Sequence, residues 1–281
     1  MAATTASAWL SRFRIMTWLP GGRAATAGMI ALMAVWSGIA CAAENPEIAK
    51  RRAAERKSFS DAEIVEGFFK ITFGAELHTR GRVDRVRKYD APVRVYIDNR
   101  GRPDRHANVL AAVEDIRSRI RSLNVSVTDK RDQANVFVTL VRDRDLSRTI
   151  REIYGRENAR RIQNSLDPQC LSSFRKDDNF RIQRSDVILA VDVGAFVFAD
   201  CLYEELLQAL GPINDDPTVP WSMFNDNVHL GFFGIYDQYI LNILYHPRIR
   251  PGMTRDEVTA ALPEILPEVR AWVAKINNLP D

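Results

Sequence analysis

The run "DVILAVDVG", Asp186 to Gly194, constrains this chain most. Its apolar residues follow one another without a polar side, so as a strand it is buried on both faces and needs a layer against each. Other strand-like runs can pair with it. "VRVYID" from Val93 alternates, and "VSVT" and "NVFVTLV" are rich in β-branched residues. Helical patterns lie between them. Ser60 and Glu63 form a capping box ahead of Ile64, Val65, Phe68 and Phe69, in a helix predicted to run to about Phe73 and stop at Gly74. Val109, Leu110, Val113, Ile116, Ile120 and Leu123 form one amphipathic stripe. Leu146 to Tyr154 reads as a short helix with an Arg-rich continuation to Ile162, and "YDQYILNILY" as a largely buried one. The order is helix, strand, helix, strand, strand, a connection, strand, helix. That order predicts an α+β or α/β chain, with helices covering a twisted sheet.

The 281 residues carry 39 basic and 36 acidic side chains. The first 43 contain Arg12, Arg14 and Arg23 and no acid, so without them the chain is neutral. A neutral chain gives no global reason to expect nucleic-acid binding. Those 43 residues read as an export signal, with a retained transmembrane anchor as the competing reading: a basic start, the uncharged run "AATAGMIALMAVWSGIACAAE", and small residues at Ala40-Cys41-Ala42 for cleavage. "GIAC" also permits a lipoprotein reading in which Cys41 is acylated and anchors the chain to a membrane. In either case Cys170 and Cys201 remain as an even pair in an oxidising compartment, where a disulfide is expected; two buried free thiols are the alternative.

Residues 44–90 read as a charged, helical lead-in, then a helix, then a basic connection, and residues 91–281 as the main domain. From His78 to Arg105 nine Arg or Lys face four Asp, the pattern of a solvated connection; an anionic lipid headgroup or cell-wall polymer is the alternative partner. No GxGxxG or P-loop follows a strand, and no Ser-His-Asp or Cys-His arrangement stands out.

The chemistry-bearing stretch is "CLYEELLQALGPIND", Cys201 to Asp215. At about 100° per residue, Leu202, Tyr203, Leu206, Leu207 and Leu210 share one arc, and Glu204, Glu205 and Gln208 lie opposite. Residues four apart project from one stripe, and Gly211-Pro212 allows a sharp turn that returns the chain towards it. The spacing of Glu204, Glu205, Gln208, Gly211 and Asn214 resembles the HExxHxxGxxH helix of the metzincin zinc peptidases. Downstream, "PRIRPGMT" places Met253 where those enzymes carry a methionine turn, and Thr254 with Glu257 caps the helix that follows. "CLYEELLQALGPIND", "PWSMFND" and "LYHPRIRPGM" together resemble a family of exported bacterial proteins of unknown function, itself similar to the zinc metallopeptidases. The resemblance implies a zincin-like α+β fold: a twisted mixed sheet, a motif helix and a C-terminal helical part.

The ligand positions depart from the motif. Glu204 and Gln208 replace the two histidines, and Asn214 stands third. Amide oxygens are poor zinc ligands, so the metal position is expected to be empty; a hard ion such as calcium would need more oxygens, from Asp215, Asp216, Asn225 or Asp226. Glu205 holds the general-base position but lacks a metal-bound water to activate. His78, His106, His229 and His246 show no ligand spacing; each reads as a surface or satisfied histidine. Trp221, Phe224, Phe232, Phe233 and Tyr236 either pack a long loop onto the body or bind a sugar or peptide in the cleft. The expectation is an exported protein, periplasmic or secreted, that binds or scaffolds without a zinc cofactor. Its partner would be an envelope protein, peptide or glycan, and contact with membrane would come only through the signal or lipid anchor. The alternative is a peptidase or glycan hydrolase using Glu205 with an oxygen-held metal, zinc or calcium.

Overall fold

Five strands form one mixed sheet in the order β2-β1-β3-β5-β4. This computed structural model describes residues 44–74, 84–165 and 169–280. Strands β1 (Val93–Asn99), β2 (Val125–Val127), β3 (Val136–Val141) and β5 (Ile182–Ala190) run parallel, and β4 (Cys170–Lys176) pairs antiparallel with β5 at the edge. The strand predicted to be buried on both faces, β5, is bounded by β3 and β4, and Val187, Ile188 and Leu189 are all buried. Their alternation decides the layers. Val187 and Leu189 join the main apolar cluster on one face, whereas Ile188 joins a second cluster on the other.

The main cluster is closed by α2 (Asp61–Thr72), α3 (His106–Arg119), α5 (Ala195–Gln208), α6 (Ile235–Leu244) and α7 (Arg255–Asn277). The second is closed by α4 (Asp143–Ser165), which lays Leu146, Ile150, Ala159 and Ile162 against Val141, Leu171 and Ile188. Helices therefore cover both faces of the sheet, a mixed α+β arrangement. Both capping boxes are present, Ser60 with Glu63 on α2 and Thr254 with Glu257 on α7. Strand β4 was read only as a connection. Its sequence, CLSSFRK, lacks β-branched residues, and pairing with β5 makes it a strand. The short helix predicted from Leu146 also runs further, to Ser165, with a kink at Gly155.

Two features position the site. The disulfide Cys170–Cys201 ties β4 to α5, and segment 86–89 ties the end of α5 to the turn before α7. Val86 exchanges backbone hydrogen bonds with that turn, accepting from Gly252 at 2.8 Å and donating to Met253 at 3.0 Å. One residue on, the Arg87 carbonyl packs against Gly211, where φ is +137° and an added Cβ would lie 2.3 Å from that oxygen. Only glycine satisfies both conditions, so the chain turns there. The short helix α1 (Pro46–Ala54) lies outside the sheet and reaches the loop ahead of α6. Arg52 stacks over Phe232 at 4.1 Å, and Arg51 over Phe196 at 4.7 Å. Among the described residues no helix is long and apolar enough to cross a membrane.

Candidate functional site

Asp200, Glu204 and Gln208 follow one another at four-residue spacing on α5 and so make a single stripe. Each is engaged differently. The Asp200 carboxylate accepts from His229 Nδ1 at 2.7 Å and from the Gly231 N–H at 2.9 Å. Gln208 is buried and engaged at both ends of its amide. Its Oε1 accepts from Ser172 Oγ on β4 at 3.1 Å, and its Nε2 donates to both oxygens of Asp215 at 3.2 Å.

Between those two sits Glu204, whose carboxylate approaches those of Asp215 and Asp226, with one oxygen from each lying within 4.8 Å of the others. Burial, and then the charges of Glu205, Asp215, Asp200 and Asp226, push the Glu204 carboxyl up to about 10. Glu204, Asp215 and Asp226 thus load one partly enclosed spot, with Asp200 and Glu205 adding to the field, which favours a proton or a cation there.

The turn at Gly211 returns the chain towards Gln208, as its spacing predicts, but the residue that arrives is Asp215. Asn214 points away, and its Nδ2 donates to the Lys70 carbonyl on α2 at 2.8 Å. Glu204 and Gln208 are therefore brought together with Asp215 and Asp226 and not with Asn214. Glu205 is buried, and its charge acts on Glu204 and on the Tyr154 hydroxyl, which bonds Ser173 of β4. Met253 is buried in its Pro-Gly turn and lines a separate cavity of about 550 Å³ with Phe180, Arg181 and Glu257. Cys170 and Cys201 form the disulfide, which lines the cleft.

That cleft, about 440 Å³, opens between α5 and the loop that follows it, with Asp200, Glu204, Asp226 and His229 among its walls. Sequence reading missed the Asp200–His229 pair. Asp200 stands four residues before Glu204, which was a usable signal, but His229 meets it only through the fold. His246 faces Glu268 on α7, and His106 opens α3; both lie outside the cleft lining. His78 and Cys41 lie outside the described residues. Phe224, Phe232 and Phe233 of the loop ahead of α6 and Tyr236 of α6 are core residues, and Trp221 alone of those five aromatics is exposed.

A mixed α+β layer fold with an acidic cleft along one helix stripe defines the class to which this chain belongs. The chain is a member of the family described as "Protein of unknown function (DUF2927)", whose model matches residues 61–264 and so spans all five strands and the cleft. No curated protein and no solved structure matches it.

Proposed function

We propose that this is an exported cell-envelope protein of metallopeptidase-like ancestry whose cleft acts by binding and not by zinc hydrolysis. The carrying observation is Gln208. It stands at the second histidine position of a zincin helix, yet its amide oxygen is held by Ser172 and its nitrogen by Asp215. A side chain engaged at both ends would have to share its amide oxygen between Ser172 and a metal, and zinc seldom takes an amide in any case. The zincin-like ancestry rests on the sequence resemblance and on the sharp return at Gly211; Met253, in its own turn, lines a cavity apart from the α5 stripe. Charge balance argues against nucleic acid, so the partner is an envelope protein, a peptide or a glycan. The leader reading places the chain in the periplasm or outside the cell, or on a membrane through Cys41.

A second reading is favoured by the convergence of Glu204, Asp215 and Asp226. Three carboxylates suit a hard divalent ion such as calcium better than zinc, provided that backbone or water oxygens complete the shell. When bound, such an ion would polarise a carbonyl or lower the pKa of a water. In this chain Gln208 would orient Asp215, and Glu205 would be the nearby base of a hydrolase.

Metal analysis of the exported protein, followed by thermal unfolding with added calcium or zinc, separates these readings. The binding reading expects no tightly held zinc, and one zinc per chain would overturn it. Stabilisation by calcium that disappears in Asp226→Asn would instead support the oxygen-ligated site.

A further inference from the structure

The loop ahead of α6 buries Phe224, Phe232 and Phe233, and α6 buries Tyr236, all 3% exposed or less, yet Trp221 is 41% exposed. The indole is nonetheless held firmly. The Arg56 guanidinium lies 4.8 Å from the Trp221 ring and 4.7 Å from Phe59, and is itself held by a forked ion pair to Glu63 at 2.7 and 3.1 Å. The following residues are locked as well. Ser222 Oγ and the Met223 N–H both donate to the buried Asp237 carboxylate. An exposed tryptophan set by this many contacts is a prepared platform.

Beside it lies a cavity of about 180 Å³, walled by Glu63, Glu66 and Lys70 of α2, by Thr218 and Trp221 of the loop, and by Tyr236. Gly67 makes the cavity narrow at its base. A Cβ there would lie 2.0 Å from the Tyr236 hydroxyl, which fills the notch and donates to the Glu63 carbonyl at 2.6 Å. The cavity shares no lining residue with the acidic cleft.

We propose that this cavity is a saccharide subsite, with Trp221 as the stacking surface for one neutral sugar ring of an oligosaccharide. Three physical features select that class. The cavity is smaller than the roughly 300–1,000 Å³ of sites for drug-sized ligands, so it takes a single ring and leaves the rest of a chain outside. The position for a cation over the indole is filled by Arg56, so the remaining aromatic surface faces a neutral partner, whose positively polarised C–H edge suits the electron-rich ring. The rim offers both kinds of hydrogen bond side by side. Lys70 Nζ and Glu66 Oε1 pair at 2.6 Å, with the glutamate side chain 66% exposed, and Thr218 adds a hydroxyl. Adjacent sugar hydroxyls donate to one and accept from the other, whereas an apolar side chain would leave both unmatched.

The test is titration of the exported protein with neutral tetrasaccharides (chitotetraose, cellotetraose and maltotetraose), read by calorimetry and by tryptophan emission. At least one probe is expected to bind saturably with a change in emission. Trp221→Ala should then weaken binding tenfold or more, and Glu66→Ala, on an exposed side chain, about threefold with thermal stability unchanged. Absence of saturable binding for all three sugars overturns the proposal, as does binding retained within twofold in Trp221→Ala. If Trp221→Ala fails to fold, Glu66→Ala decides: unchanged affinity overturns the subsite and weakened affinity supports it. The metal content of the cleft affects none of these outcomes.

Discussion

At the scale of single residues, two buried acids show how environment sets chemistry. Glu204 sits among other carboxylates, and its proton affinity reports their repulsion as well as its burial. Asp237 is fully buried at the start of α6 and holds the preceding loop through Ser222 and Met223; burial pushes its carboxyl up to about 7 from an ordinary 3.8, against the opposing effect of those two donors. The folded state therefore binds this proton more tightly than the unfolded chain. The resulting stabilisation is full below about pH 3.8 and is lost as the pH rises through about 7. Asp237→Asn should remove that contribution, so that denaturant midpoints measured from pH 4 to 8 fall less steeply than in the parent. An unchanged slope would show that Asp237 is ionised throughout the range. Neither this group nor the Asp200–His229 pair was legible in the sequence. An aspartate in a helical pattern looks solvated until the fold shows what covers it.

At the scale of elements, patterning named most helices and central strands, because a long apolar run and a 3.6-residue stripe are local properties. It missed β4, whose residues are strand only in the company of β5. That strand matters to the site, since it supplies Ser172 to Gln208 and Cys170 to the disulfide. The helical wheel of α5 placed Glu204, Glu205 and Gln208 on a polar side, but a wheel cannot show what faces that side. Here β4 and the loop after Gly211 cover it, leaving Glu205 and Gln208 buried. The bond between β4 and α5 closes a loop with a sequence separation of 31 residues. Constraining a loop of that size in the unfolded chain contributes about 3–4 kcal/mol. Replacing both cysteines by serine should therefore lower unfolding stability by about that amount in a denaturant titration. A change below about 1 kcal/mol would mean that the bond adds little beyond the strand pairing.

At the scale of the whole molecule, α1 straps the loop that carries His229. Arg51 donates to the His229 carbonyl, Arg52 covers Phe232, and Glu55 accepts from the Ile235 N–H at the start of α6. Deleting residues 44–55 should lower the thermal midpoint and make the 226–234 loop the first site of proteolytic cleavage. An unaltered cleavage pattern would show that the loop holds itself. Local patterning determined the doubly buried strand β5, the capped helices, the glycine turn and the polar stripe of α5, because each is written within a few consecutive residues. Only the tertiary structure decided that Asp215 and not Asn214 faces Gln208, that His229 meets Asp200, and that Trp221 stays exposed while Phe224, Phe232, Phe233 and Tyr236 are buried. Those outcomes depend on which distant surfaces meet. One residue's difference in the return path from Gly211 is enough to exchange an amide for a carboxylate beside Gln208.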